Sequence, residues 1–301
     1  MLRTPNLIVP ISQQQSFTDG PPSGRAWRVK DILLNTWDNR FIDVTIDRRV
    51  VGRWANDYRT YGSHLGSRTN AWGVPSLPSY LFKKGIWPGY PVAEGQSITL
   101  TNTVGASFSG QIVVDEYDAG DIRRDDVNGS DSSDMVYISY GDTGASINAT
   151  GEYKYNTSWM PTGFSGFPFG YVVASGYRAE VLGLMFSSRI LYGTTANDWT
   201  YVYGYKFMSQ REVLFVKDRT FIRCDMPAPQ IPSTFYIGMD IGPSGDFTHL
   251  SLKEPWIFDT PMIFNEGDDL TIYGEVSVAG TPPSLTILEQ IIAAIVRMKK
   301  R

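Results

Sequence analysis

The sequence predicts an all-β protein, and three observations carry that expectation. Gly, Tyr and Trp are plentiful, at 29, 17 and 8 of 301 residues, and ring-bearing side chains suit a pleated sheet better than a helix. Short runs of alternating polar and apolar residues recur between Gly- and Pro-bearing turns, the spacing of stacked or closed antiparallel sheets. Finally, Pro91-Val92-Ala93-Glu94-Gly95-Gln96-Ser97-Ile98-Thr99-Leu100 is echoed by Pro261-Met262-Ile263-Phe264-Asn265-Glu266-Gly267-Asp268-Asp269-Leu270-Thr271-Ile272. In each copy Glu-Gly makes a turn and alternating residues then start a strand on a defined face. A weaker echo, Trp27–Asn35 against Ala179–Ser187, precedes each copy in the same order, so the economical reading is two related β units in tandem.

The elements follow in order. Residues 1–24, with Gln13-Gln14-Gln15 and Asp19-Gly20-Pro21-Pro22, read as an irregular arm of the kind that lies on a neighbouring subunit. Trp27–Leu34 reads as a strand and Phe41–Ile46 as its hairpin partner, with a turn at Trp37–Arg40. Gly52, Gly62, Gly66, Gly73, Pro75 and Pro78 predict a long loop over residues 51–80. Ser97–Thr103 and Gly110–Tyr117 are strands, and the acidic stretch Asp118–Asp134 closes a first unit over residues 25–128. A turn-rich connector, 129–168, holds the short strands Met135–Tyr140 and Glu152–Tyr155 and the segment Gly163–Gly170. A second unit, 169–280, offers strands at Tyr177–Ser187, Trp199–Phe207, Glu212–Val216, Thr220–Cys224, Thr234–Asp240, Phe247–Leu252 and Leu270–Val278.

Residues 281–301 change character and predict a short amphipathic helix. Thr286-Ile287-Leu288-Glu289 fits a capping box, and Leu288, Ile291, Ile292, Ile295 and Val296 share one helical face. Lys299, Lys300 and Arg301 would sit at the negative end of its dipole. Such a helix can dock on its own unit, bind a neighbouring chain, or lie on a membrane surface with the basic end near anionic headgroups. Leu288, Ile291, Ile292, Ile295, Lys299, Lys300 and Arg301 are therefore the candidate membrane or subunit contacts.

Composition excludes several classes. Net charge is -4 with no basic arm, so the chain lacks the clustered cations that direct nucleic-acid contact requires. The single cysteine, Cys224, rules out an internal disulfide and a multi-cysteine zinc site, and reads as a small buried residue. Met1–Pro10 lacks the basic start and apolar run of an export signal, which predicts a soluble protein made in a cytoplasm and makes the glycosylation patterns at Asn128, Asn148 and Asn156 accidental. Only His64 and His249 are available as imidazole bases, and no phosphate loop, dinucleotide glycine pattern or HExxH occurs. Asp115 and Glu116 are adjacent on a strand and point to opposite faces, while Glu94 and Glu266 sit in turns, where they accept local backbone hydrogen bonds. No enzyme is expected. Asp121, Asp125, Asp126 and Asp131 are the candidate oxygen ligands for calcium; their spacing fits no EF-hand, and a solvated loop is the other reading.

The two echoed units, the strand starts Gly95-Gln96-Ser97-Ile98 and Gly267-Asp268-Asp269-Leu270, the Gln111–Tyr117 strand ending in Asp118-Ala119-Gly120-Asp121, and Phe167-Pro168-Phe169-Gly170-Tyr171-Val172-Val173 together resemble a viral jelly-roll capsid protein. More narrowly, the chain resembles the double jelly-roll major capsid proteins of icosahedral double-stranded DNA viruses and membrane-containing bacteriophages, the adenovirus-hexon-like lineage. The likeness covers about residues 25–280 and is one of architecture. It implies two eight-stranded rolls and a homotrimer whose six rolls make a pseudo-hexagonal tile. It also implies other capsid proteins such as a vertex protein as partners, an internal lipid membrane, and residence in the virion after synthesis in host cytoplasm. A single roll with large insertions is the other form the pattern allows. Two rival functions remain on sequence grounds. One is a carbohydrate-binding module such as a phage receptor-binding protein, with Trp159, Trp199 and Tyr201 stacking on sugars; the other is a glycosidase or lyase on a β sandwich.

Overall fold

The computed structural model describes residues 1–35, 41–55, 76–123, 134–186, 191–192, 199–210, 212–214, 222–223, 238–241, 247–251, 256–280, 284 and 291–301. Among them the chain is all-β: helix occurs only as α1 (Leu77–Lys83) and a single 3-10 turn, Ala119–Asp121. It divides into two compact units, one running through Tyr137 and the other from Ile138.

The first unit contains β1 (Leu2–Gln14), β2 (Ser16–Asp19), β3 (Arg25–Asn35), β4 (Phe41–Ile46), β5 (Arg49–Ala55), β6 (Tyr90–Val92), β7 (Ile98–Asn102) and β8 (Phe108–Asp118). They form two antiparallel sheets of four strands, ordered β1-β8-β3-β6 and β2-β7-β4-β5. Alternation puts Ile42, Val44, Ile46, Ile98 and Leu100 inside from one sheet and Val29, Ile32, Leu34, Ile112 and Val114 inside from the other, all essentially buried.

An aromatic cluster ties the two sheets. Trp54 of β5 donates its indole N–H to the Tyr90 hydroxyl of β6 at 2.8 Å, and Trp87 meets both rings edge-on at 5.5 and 4.7 Å. Gly52 makes room for it, since a Cβ there would collide with the Tyr90 hydroxyl. Burial pushes the Tyr90 phenol well above its ordinary pKa, so it stays protonated and acts as acceptor for Trp54. Tyr90→Phe is expected to strand that indole N–H in the core and to cost about 1–2 kcal/mol, read by denaturant unfolding.

The residues expected to form an arm supply β1 and β2. Pro5 and Pro10 lie on an edge strand, where a missing N–H is tolerated, and Val9, Ile11 and Phe17 turn inward. Nor do Trp27–Leu34 and Phe41–Ile46 form a hairpin. β3 pairs with β8 and β6, whereas β4 pairs with β5 and β7 in the opposite sheet, so the chain crosses between sheets after β3. The loop expected over 51–80 holds the end of β5 and the helix α1. Ser76 caps that helix by accepting the Ser79 N–H at 3.2 Å, Pro78 occupies the first turn, and Leu77 and Leu81 are fully buried.

The second unit contains most of β9 (Asp134–Asp142), then β10 (Gly151–Tyr155), β11 (Thr157–Ser158), β12 (Tyr177–Phe186), β13 (Leu191–Tyr192), β14 (Trp199–Ser209), β15 (Glu212–Val213) and β16 (Ile222–Arg223). It continues with β17 (Gly238–Ile241), β18 (Phe247–Ser251), β19 (Trp256–Phe264), β20 (Thr271–Ala279) and β21 (Ile292–Lys300). One sheet is ordered β11-β9-β21-β12-β19. The other reads β10-β20-β14-β13, with β15 and β16 also on β14, and β17 pairs with β18 alone. The connector expected at 129–168 thus holds three strands of these sheets. Residues 234–237 of one strand candidate, and most of the Thr220–Cys224 candidate, lie outside the described residues.

The C-terminal helix is overturned: Ile292–Lys300 is a strand, and it lies between β9 and β12 inside a five-stranded sheet. Ile291, Ile292, Ala293, Ala294, Ile295 and Val296 are all buried. A strand covered on both faces is apolar at every position, so its residues also satisfy the three-and-four spacing of a helix; the β-branched Ile and Val decide for the strand. Thr286–Glu289, the proposed capping box, lies outside the described residues.

Candidate functional site

The echoed segments form the β6–β7 and β19–β20 junctions, and each organises a polar corner. In the first unit Gly95 takes the left-handed conformation the turn requires, at φ 76°. Gln96 N–H donates to the Ala93 carbonyl at 3.0 Å, and its side-chain oxygen accepts the Ala93 N–H at 2.9 Å. Glu94 Oε1 reaches back to the segment before β3, accepting the Gly24 N–H at 2.5 Å and the Ser23 hydroxyl at 3.3 Å. From the β4–β5 turn, Asp47 accepts the Ser97 N–H at 3.2 Å and the Gln96 amide at 3.1 Å.

The second unit builds the same corner with different chemistry. Gly267 has φ 81°, and Asp268 replaces the glutamine: its N–H donates to the Asn265 carbonyl at 3.0 Å while Oδ2 accepts the Asn265 N–H at 2.7 Å. Glu266 accepts the Ser175 hydroxyl at 2.6 Å and the Gly176 N–H at 3.0 Å, ahead of β12. From the β14–β15 turn, Gln210 donates its side-chain amide to Asp268 at 2.6 Å and its backbone N–H to Asp269 at 2.8 Å. Asp47 and Gln210 are both left-handed, at φ 53° and 47°. The acceptor–donor pair Asp47–Gln96 thus becomes the donor–acceptor pair Gln210–Asp268, and the link survives the exchange.

The Gly176 N–H, and then the Ser175 hydroxyl, hold the Glu266 carboxyl below its ordinary pKa. Glu266→Ala is expected to speed amide exchange at Gly176 by about tenfold and leave Gly24 unchanged, while Glu94→Ala does the reverse. Residue-resolved hydrogen exchange reads both.

An open groove of about 630 Å³ borders the second corner, lined in part by Gln210, Leu214, Ile263, Asn265 and Asp268. Ile263 is 52% exposed and Leu214 38%. Nearby, Val173 N–H donates to the Asp268 carbonyl, and the preceding Tyr171 and Val172 stand more than half exposed. The groove therefore joins exposed apolar side chains, Leu214 and Ile263, to the polar Gln210, Asn265 and Asp268.

Of the four candidate calcium residues, Asp121 alone lies among the described residues. Asp121 is exposed at the end of the 3-10 turn and faces the Met1 amino group; Asp125, Asp126 and Asp131 lie outside the described residues. The neighbouring Asp118 takes Arg3 at 2.8 Å and Arg25 at 3.2 Å, and Arg3 foremost holds its carboxyl below the ordinary range. Among the described residues no three His, Cys, Asp or Glu side chains stand close enough to hold a metal ion.

Several of the candidate contact residues at the C-terminus are engaged within the second unit. Ile291, Ile292 and Ile295 are at most 2% exposed, so they present no free apolar face; Leu288 lies outside the described residues. Lys299 reaches the buried Glu180 of β12 at 3.0 Å, joined there by Arg178 at 3.0 Å and Arg297 at 3.4 Å. Arg301 pairs with Asn265, and Lys300 is exposed. Burial works to raise the Glu180 pKa, but the three cations together outweigh it and bring the carboxyl below its ordinary value.

Of the aromatics proposed for sugar stacking, Trp159 commits its indole N–H to the buried Asp142, which also accepts the Gly144 N–H at 2.6 Å. The side chains of Trp199, Tyr201 and His249 lie outside the described set, as do His64 and Cys224. Sequence reasoning missed three partnered acids. Asp31 and Asp142 are pushed above their ordinary pKa by burial despite the hydrogen bonds they accept, and Glu180 sits in the apolar run Ala179-Glu180-Val181. A lone carboxylate inside an apolar strand was the available signal. Among the described residues no helix is long and apolar enough to cross a membrane. No family model, curated protein or solved structure matches this chain.

Proposed function

We propose that this chain is the major capsid protein of an icosahedral virus, built as two jelly rolls in tandem, and that its function is to tile a shell. The observation that carries this reading is strand order. Eight strands arranged β1-β8-β3-β6 and β2-β7-β4-β5 support the reading of a doubled Greek key wrapped into a roll. In the second unit β9-β21-β12-β19, extended by β11, and β10-β20-β14, with β13, β15 and β16 all paired to β14, support a second copy of that path in which β15 takes the place of β5. The recurring corner, with Glu-Gly clasping Ser-Gly ahead of β3 and of β12, supports descent from one duplicated unit.

Sheet edges also favour assembly through faces and loops. β6 has only three residues, β1 carries Pro5 and Pro10, and β19 carries Pro261 with a break in its register. These features discourage strand addition between copies. Exposed Tyr171, Val172, Leu214 and Ile263 remain for contacts between subunits. On this reading the partners are copies of itself as a trimer, other shell proteins such as a vertex protein, and an internal membrane; nucleic acid is not touched directly.

Native mass spectrometry and negative-stain microscopy of the full chain test the proposal. A species of three chains with pseudo-hexagonal outline is expected. A protein that stays monomeric at every concentration, and never co-purifies in many copies with particles, would sink it.

A further inference from the structure

We propose a phosphate-binding site at Arg178, Arg297 and Lys299, organised from beneath by Glu180. Glu180 is 5% exposed and projects from β12, yet its one carboxylate serves all three cations. Arg178 and Lys299 share Oε1, each at 3.0 Å, so their nitrogens are at most twice that distance apart; Arg297 takes Oε2 at 3.4 Å. Three cations against one carboxylate leave a surplus of two positive charges in a partly buried cluster. None of the four side chains has another polar partner among the described residues.

A second anion offsets the surplus charge of the cluster. The outer faces of the cations are open to it: Arg178, Lys299 and Arg297 are 38%, 33% and 27% exposed. Their chemistry selects phosphate over carboxylate. Two guanidinium forks and an ammonium present more donors than the two oxygens of a carboxylate can take, whereas a tetrahedral phosphate offers at least three oxygens and close to two negative charges. The shared chemistry is that of a free phosphate or a phosphomonoester lipid headgroup. This inference stands on β12 and β21 alone and does not depend on shell formation.

The test titrates the full chain with inorganic phosphate at constant ionic strength set with sodium chloride, by calorimetry and by thermal unfolding. Saturable binding and a raised Tm are expected. Arg178→Gln and Lys299→Gln, both at the rim, should each weaken affinity by about tenfold, with Arg178→Lys intermediate because it keeps the charge and loses the fork. Equal Tm in phosphate and in chloride, or unaltered affinity in both Gln variants, would overturn the proposal. So would acetate binding as tightly as phosphate, which would assign the cluster to an acidic side chain of another protein. Sedimentation with phosphatidic acid vesicles against phosphatidylcholine vesicles separates the sources. Capture reversed by inorganic phosphate identifies a lipid headgroup, and binding of inorganic phosphate without capture identifies the soluble anion.

Discussion

Ile295→Asp is expected to abolish cooperative folding of the second unit. Ile295 is fully buried in the middle of β21, between β9 and β12. The substitution forfeits about 1.5–3 kcal/mol of apolar burial. It also takes a carboxylate out of water at a fully buried position, at a further cost of several kcal/mol or a forced protonation. Together these rival the about 5–15 kcal/mol by which a domain of ordinary size is stable. Near-UV circular dichroism and protease resistance read the outcome. Lys300→Gln, at the exposed end of the same strand, should stay within about 0.5 kcal/mol of the parent chain. On an exposed amphipathic helix Ile295→Asp would be nearly harmless, so retention of a native near-UV spectrum would restore the helical reading of residues 281–301.

The contrast shows which physics a sequence carries on its face. The corners at Glu94-Gly95 and Glu266-Gly267 were legible because turn chemistry is local: a left-handed Gly, an acid that clasps nearby N–H groups, and a strand whose alternation begins at once. Their equivalence survived even though Gln96 became Asp268, since the partner changed with it from Asp47 to Gln210. Partners across a sheet were not legible. Phe41–Ile46 alternates as cleanly in a sheet away from β3 as it would in a hairpin with it. β1 was hidden because an edge strand with one wet face tolerates Pro5, Pro10 and a polar Gln13-Gln14 end, all of which imitate an arm. β21 was hidden for the opposite reason, having no wet face at its centre. The Glu180 cluster draws its cations from residues more than a hundred positions apart, which no local pattern announces.

Glu180→Ala is expected to cost about 2–3 kcal/mol at neutral pH. Removing one partner of a fully buried ion pair costs about 3–5 kcal/mol, and the lower figure reflects cations roughly one-third open to solvent. The pH dependence identifies the carboxylate. Because Lys299, Arg297 and Arg178 hold the Glu180 pKa below its ordinary 4.5, against the opposing effect of burial, the unfolded chain takes up the proton first. Its contribution is complete above 4.5, fades as pH falls towards the lowered folded value, and is gone below it. Asp118 and Glu266, also lowered, act in the same direction, whereas Asp31 and Asp142, raised by burial, act in the opposite one. The slope of the whole chain is therefore a mixture, and Glu180→Gln isolates one component by removing the titration while keeping the shape. The difference in unfolding free energy between parent and Glu180→Gln should be constant from about pH 7 to about 5 and should shrink below the ordinary carboxylate value. A difference that stays unchanged below the ordinary carboxylate value as well would mean that the side chain stabilises β12 by packing, with the three cations owing it nothing.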